Sequence, residues 1–218
     1  MDSDVIRHAQ TPPVTDGLEQ LILREISTRR RANMPSLVLD FPCGDGLRAV
    51  EMARAGATVL AADAENLADQ VAGNALAGNV REQVNFVPCR LGLDPLPIKA
   101  NQPLDLVFCH YGLSFMPYAE TCKILLALLK SLRIGGKLFV SMHGLHSALG
   151  EDYRDHDAAI ESRFCTLSPA VAKCYGIRKK ICLYSERDLM RLLITTGGGV
   201  LHTFTSTHGA VKGVTVRI

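Results

Sequence analysis

No apolar run in the 218-residue chain is long enough to span a bilayer; the longest, Ile124–Leu129, has six residues. No CxxC pair occurs, and seven cysteines, an odd number, argue against a disulfide framework and fit a reducing compartment. Neither sign of charge dominates. With 24 Lys+Arg against 22 Asp+Glu, the net charge gives no electrostatic reason to expect a polyanionic partner. The opening residues, MDSDVIRHAQTPP, lack a basic stretch followed by an apolar one, so no secretory signal is expected and the cytoplasm is the expected location. No internal repeat or low-complexity tract is visible either. Membrane spans, disulfide scaffolds and highly charged tails are thereby excluded.

What remains is an ordinary globular composition, 47% apolar and 21% charged. The length corresponds to about 1.5 average domains, which predicts one domain over 1–218 with elaborations. Those elaborations are a helical extension at 1–35 and an insertion at 145–184.

Residues 16–31 carry Leu18, Leu21, Ile22 and Ile26 on one helical face, and Asp16 with Glu19 has the spacing of a capping box. The helix ends in Arg29, Arg30 and Arg31, readable as a solvated cluster suited to a helix C-terminus or as a basic patch for nucleic acid. From Ser36 the rhythm changes. SLVLDF predicts a buried strand, PCGDG a turn, and LRAVEMARA a helix stopped by Gly56. Strands follow at 58–64, 84–88, 104–110 and 137–143. A weak helix over 66–78 and a strong one over Tyr118–Arg133, closed by Gly135-Gly136, lie between them. A Ser185–Asp188 capping box opens the last helix, and two β-prone runs at 200–207 and 212–218 predict a hairpin. Such alternation predicts an α/β fold, a parallel doubly wound sheet with an antiparallel strand at its end.

The chemistry concentrates at the first strand–turn–helix, Asp40-Phe41-Pro42-Cys43-Gly44-Asp45-Gly46. Glycines at 44 and 46 permit positive φ and let a ligand lie against the main chain. The turn falls at the carboxyl end of a strand, where open α/β sheets bind ligands. Seventeen residues after Gly46, the second strand ends in Asp63, placed to accept hydrogen bonds from the hydroxyls of a ribose. Turn and acid together describe a nucleoside site.

These residues carry a resemblance. The passage LVLDFPCGDGLRAVEMARAGATVLAADAENL resembles the first two motifs of the class I S-adenosylmethionine-dependent methyltransferases. LDLVFCHYGLSFMP after the fourth strand, LLKSLRIGGKLFVSM through the fifth, and the terminal hairpin are similar to later motifs. The likeness covers 36–143 and 185–218. It implies a Rossmann-like, doubly wound, seven-stranded sheet, mostly parallel with an antiparallel last strand, and S-adenosylmethionine as cofactor. It places cofactor contacts at Asp40, Pro42, Cys43, Gly44, Asp45, Gly46, Asp63, Ala64, Arg90, Leu91 and His110. The spacing is similar to that of tellurite-resistance and other small-molecule methyltransferases. Two departures stand out. Pro42 replaces a customary glycine, and Arg90 stands where many members carry an adenine-binding Asp, leaving the backbone near Cys89–Leu91, or Asp94, for adenine.

A dinucleotide is the rival ligand, because Gly44-x-Gly46-x-x-Ala49 followed by Asp63 also fits the loose dinucleotide fingerprint. Tyr175-x-x-x-Lys179 mimics the active-site pair of short-chain dehydrogenases, although it falls in the insertion. His110 ends the fourth strand and His143 the fifth, with His146 three residues on. A general base for the acceptor is expected from these, with packing beside the donor's methionine portion as the alternative role of His110. His110-Tyr111-Gly112-Leu113 is not the Asn/Asp-Pro-Pro-aromatic motif of amino-group methylases, which lowers nucleic-acid bases and protein amides as acceptors. Cys165, Cys174 and Cys182 match no zinc spacing, and no metal is expected. A small-molecule acceptor is the leading expectation. An RNA or protein acceptor docked on Arg29–Arg31 and Arg178–Lys180, or a non-catalytic binding protein of the same fold, are the alternatives.

The insertion divides its charge, with five acids and one Arg in 151–161 and five bases in 163–180. A segment this long is expected to be a lid, with Tyr153, His156, Phe164 and Tyr175 lining an acceptor pocket, or else a peripheral helical cap. Oligomeric state is left open.

Overall fold

The computed structural model describes residues 17–98 and 102–218. Asp16, half of the expected capping box, lies outside them. The elements run α1 (Gly17–Arg31), β1 (Leu37–Asp40), α2 (Leu47–Ala55), β2 (Thr58–Asp63), α3 (Ala68–Ala77), β3 (Val84–Pro88), β4 (Leu104–His110), α4 (Tyr118–Ser131), β5 (Leu132–Met142), α5 (Pro169–Tyr175), α6 (Glu186–Thr195), β6 (Gly198–Thr205) and β7 (Val211–Arg217). Seven strands form one sheet in the order β3-β2-β1-β4-β5-β7-β6. β1 to β5 pair in parallel, and β7 is antiparallel to both β5 and β6. The expected seven-stranded sheet with an antiparallel last strand is therefore present.

Helices cover both faces, which explains why β1 and β4 read as near-continuous apolar runs. On one face Leu18, Ile22 and Ile26 of α1 and Met52 of α2 pack on Val38, Phe108 and Phe139. On the other, Leu125 and Leu128 of α4 and Leu189 and Leu192 of α6 pack on Leu39, Val107 and Val140. Each such side chain contributes about 1.5–3 kcal/mol by leaving water. Residues 17–31 thus belong to the core layer. Lys137 Nζ on β5 adds an ion pair 2.7 Å from Glu25 on α1.

Three expectations need correction. α4 ends at Ser131, and Leu132 already pairs with Leu104, so Gly135 and Gly136 lie in β5 and do not close the helix. A Cβ at Gly136 would stand 3.0 Å from the Asp105 carbonyl oxygen, so glycine serves the close approach of β4 and β5. The final hairpin also begins earlier, at Gly198. Arg29 is neither solvated nor part of a docking surface. It is buried, its guanidinium 2.5 Å from Asp105 Oδ1 and bonded to Ser36 and the Pro35 carbonyl.

The 145–184 insertion is packed. Leu145, Leu149, Tyr153, Cys165, Leu167, Val171, Ile181 and Leu183 form their own apolar cluster, while Ile160, Cys182 and Tyr184 join the main core. Cys182 N–H donates to the Ser114 carbonyl and Tyr184 N–H to that of His143, fastening the insertion to the ends of β4 and β5. Among the described residues no helix is long and apolar enough to cross a membrane.

Candidate active site at the carboxyl edge of the sheet

The turn after β1 is fixed by backbone bonds to its neighbours. Phe41 N–H donates to the Phe108 carbonyl, and Cys43 N–H to that of Ala62. Gly44 has φ +53°, and nothing occupies the space where its Cβ would point, so a ligand can reach the main chain there. Gly46 has φ +78°, yet a Cβ there would meet Val71 at 2.9 Å. Its glycine is required by the packing of α3. Pro42 packs against the turn after β4, where a Cβ on Gly112 would lie 2.5 Å from Pro42 Cδ. Asp45 Oδ1 accepts from Leu47 N–H at 3.1 Å, ordering the first turn of α2.

Two carboxylates flank this turn. Asp63 Oδ2 accepts the Gly44 N–H at 2.9 Å and Oδ1 the Glu65 N–H at 3.2 Å, which ties the end of β2 to the glycine turn. Exposed Ala64 follows it. Asp40 is only 1% exposed, and its Oδ2 has no hydrogen-bond partner among the described residues. Burial pushes its carboxyl up to about 8, with Asp63 and Asp45 adding to the rise and Arg48 opposing it. A buried acid with an unbonded oxygen favours its neutral form until a donor or a cation comes within reach. Cys43 is raised by burial and by the same acids, and so stays a thiol at neutral pH.

At the end of β3 stand the residues expected near adenine. Asp94 is held by Arg90 through the backbone N–H at 2.8 Å and a two-pronged guanidinium contact at 3.1 and 2.8 Å. Those hydrogen bonds hold the Asp94 carboxyl down near 2. Cys89 N–H donates to the Asp63 carbonyl. Leu91 is half-buried, and its side chain lies beside Gly112 across from Pro42.

Beyond β4 the residues form an aromatic row. The His110 ring lies 5.7 Å from Phe108 and 4.1 Å from Tyr111; Tyr111 stacks on His143 at 4.4 Å, and Phe115 meets His143 edge-on at 5.6 Å. Tyr111 adopts φ +57°, unusual for a tyrosine, with its N–H on the Ser141 carbonyl. Strain of this kind costs about 1–3 kcal/mol and clusters at functional sites. Burial, with a smaller push from His110, lowers His143 to about 4. It is a poor proton acceptor. His146 is exposed and meets His156, not His143.

The four aromatic and imidazole residues expected to line a pocket in the insertion are dispersed. Tyr153 is buried, its hydroxyl on the carbonyls of Arg163 and Ile181. Phe164 packs against the main core, His156 meets Asp157, and Tyr175 is exposed at the end of α5. Tyr175 and Lys179, both exposed on the insertion, do not form a dehydrogenase pair at the sheet edge. A cavity of about 400 Å³ lies between Ala159–Arg163 and the outer face of α6, lined by none of the expected site residues. All seven cysteines are free, and among the described residues no cluster of His, Cys, Asp or Glu is arranged to hold a metal.

One site residue escaped the sequence reading. Glu19 is buried, pairs with Arg48 of α2, and has Oε1 4.0 Å from His110 Nε2. The legible signal was its place three and seven residues before Ile22 and Ile26, on the apolar stripe.

Comparison with known proteins agrees with this geometry. Residues 38–136 match a family model described as a methyltransferase domain. A sequence search of curated proteins finds no match. Among solved structures, an O-methyltransferase family protein from Burkholderia thailandensis is similar, with TM-score 0.64 and 16% identity over 92% of this chain and 56% of the other. So is the Burkholderia thailandensis 1,6-didemethyltoxoflavin-N1-methyltransferase with bound 1,6-didemethyltoxoflavin and S-adenosylhomocysteine (TM-score 0.62, 15% identity, 90% of this chain and 78% of that one). Magnesium protoporphyrin IX methyltransferase from Synechocystis PCC 6803 with bound S-adenosylhomocysteine aligns at TM-score 0.56 and 21% identity, over 93% of this chain and 84% of that one. The chain spans little more than half of the first of these.

Proposed function

We propose that the chain is a class I S-adenosylmethionine-dependent methyltransferase, a reading supported by the methyltransferase-domain match over residues 38–136, and that it methylates a small-molecule acceptor. The observation that carries the reading is the carboxyl-edge cradle: Gly44 with open space beside its main chain, tied to Asp63, above a buried Asp40 whose Oδ2 has no hydrogen-bond partner among the described residues. The cofactor suits it. S-adenosylmethionine supplies a methyl already activated on a cationic sulfur. Asp63 would take the ribose hydroxyls, with Ala64 beside it and the Gly44 N–H close by. Asp40 would face the cationic methionine end across the Pro42–Asp45 turn, and Leu91 would pack on adenine.

With the donor activated, the protein chiefly aligns the acceptor behind the methyl–sulfur bond and excludes water. Alignment of this kind is worth up to about 7–11 kcal/mol. Tyr111, His143 and Phe115 supply an aromatic wall for the acceptor where β4 and β5 end. His110, beside that wall, is the imidazole placed to take a proton from a hydroxyl or amine; a thiolate would need no base. His143, held neutral by burial, serves as packing.

Small acceptors are supported by two similar structures whose names specify 1,6-didemethyltoxoflavin and magnesium protoporphyrin IX. An RNA or protein docking surface loses support because Arg29, one of its expected cations, is internal. The test is release of S-adenosylhomocysteine from S-adenosylmethionine in the presence of hydroxyaromatic, thiol and amine compounds, total tRNA or a peptide library. Release with small molecules only is expected. Release with tRNA or peptides alone would reverse the reading.

Asp40 gives a linkage prediction. Its folded-state value of about 8 lies above the ordinary 3.8, so the apo protein holds a proton at pH 7 that a bound cation would expel. Binding of S-adenosylmethionine should therefore release close to one proton at pH 7. The same shift means that apo stability falls as pH rises from about 4 through 8. Calorimetric titration in two buffers of different ionisation enthalpy measures the proton count. Equal heats in both would show that Asp40 does not sense the cofactor.

A further inference from the structure

Helix α1 carries charge inside its apolar face. Leu18, Ile22 and Ile26 make the stripe, and Glu19 and Arg29 lie on the same side, exposed by only 6% and 7%. Arg29 is fully accounted for by Asp105, Ser36 and the Pro35 carbonyl. Glu19 is only half accounted for. Its Oε2 pairs with Arg48. Its Oε1 is buried, has no hydrogen-bond donor among the described residues, and lies 4.0 Å from Nε2 of His110. An unmatched buried carboxylate oxygen is expensive unless a neighbouring group can become cationic.

We propose that Glu19 is a positioning residue for His110: it keeps the imidazole turned toward α1 at the end of β4 and stabilises the imidazolium formed when His110 takes the acceptor's proton. The proposal rests on the methyl-transfer reading and deepens it. In the step, the acceptor's O–H or N–H bond breaks and its proton passes to the His110 imidazole. The freed electron pair forms the new bond to the methyl carbon, the carbon–sulfur bond breaks with its pair going to sulfur, and neutral S-adenosylhomocysteine leaves. The imidazolium then returns its proton to solvent. A carboxylate beside an imidazole assists such a transfer by orienting the ring and favouring its charged form.

The surroundings favour His110 over His143 for this role. Among the described residues, the charged or titratable groups around the Glu19–His110 pair include Arg48 and Glu51 on α2, Asp40 on β1, Tyr111 beside His110 and His143 on β5. Lys212 on β7 lies in register through Ser141. Arg48 is flanked by two acids, Glu19 and Glu51, which offset its charge. His143 is held neutral, so it does not compete for the proton.

The test needs no acceptor. Imidazole NMR of the full chain, titrated with pH, reports the apparent pKa of His110 in the wild type, Glu19→Gln and Arg48→Gln. Removing an opposite charge at this separation is expected to lower the His110 value by about one unit in Glu19→Gln. Removing Arg48 leaves Glu19 uncompensated and should raise it. S-adenosylhomocysteine affinity should change by less than about threefold in Glu19→Gln, because Glu19 is not placed on the cofactor cradle. An unchanged His110 titration in Glu19→Gln, with only a lower melting temperature, would reduce Glu19 to a packing role and overturn the proposal. Should Glu19→Gln fail to fold, a fall or no change in Arg48→Gln would overturn it equally. Failure of the wild type to bind S-adenosylhomocysteine would refute the methyltransferase reading and leave the imidazole titration to stand by itself.

Discussion

Arg163→Ala is expected to destabilise the protein by about 3–5 kcal/mol, the usual cost of removing one partner from a buried ion pair. Arg163 is 7% exposed. Its Nη1 lies 2.7 Å from Asp188 Oδ2 and 3.1 Å from the Leu183 carbonyl, while Nε and Nη2 donate to the Ala158 carbonyl. Asp188 is at the same time the capping-box residue of α6, accepting from Ser185. One guanidinium therefore fastens the acidic half of the insertion to the strand-like segment before α6 and to the helix itself. Truncation leaves Asp188 partly buried without its cation and two carbonyls without donors. Chemical denaturation measures the loss, and a melting scan should fall by roughly 6–20 °C. Arg163→Lys should recover only part of it, since the donors of an ammonium sit on one compact nitrogen and do not reproduce the planar fork by which Nε, Nη1 and Nη2 reach separate partners. A change under about 1 kcal/mol for Arg163→Ala would mean that the insertion is attached by its apolar contacts alone.

The second large effect is on the cofactor. Asp63→Ala is expected to weaken S-adenosylhomocysteine binding by about 2–3 kcal/mol, roughly 30- to 150-fold, as charge-assisted hydrogen bonds to the ribose are lost. The same substitution removes the acceptor for the Gly44 N–H, so the glycine turn loses its tie to β2 as well. An unchanged dissociation constant in a folded variant would place the ribose elsewhere, with Glu65 the next carboxylate along the chain.

The sheet was legible because its central strands are buried on both faces. LVLD and LDLVFCH allow little but a parallel interior strand, and the Gly44–Gly46 turn with Asp63 marks where a nucleoside is expected. Local rules failed where tertiary pairing overrode them. Gly135-Gly136 after a basic residue looks like a helix stop, yet Leu132 had already joined Leu104 in the sheet. Arg29 at a helix end looks solvated, but its position on the Ile22–Ile26 stripe carries it to Asp105. In the insertion, composition marked Tyr153 as pocket lining. Its hydroxyl instead bonds two carbonyls inside the segment, a pairing no local pattern announces. At the end of β3, the spacing of Arg90 and Asp94 did not announce that the two side chains bond each other. Glu19 was seen as a helix-start acid, and only the packing of α1 against α2 and β4 turned it toward His110.

The central claim is that the Asp40–Gly46 turn with Asp63 holds S-adenosylmethionine. Isothermal calorimetry of the purified chain against S-adenosylhomocysteine and, separately, NADH tests it most directly. One equivalent of S-adenosylhomocysteine should bind, with no measurable heat from NADH at the same concentrations. Micromolar binding of NADH with no heat from S-adenosylhomocysteine would contradict the account.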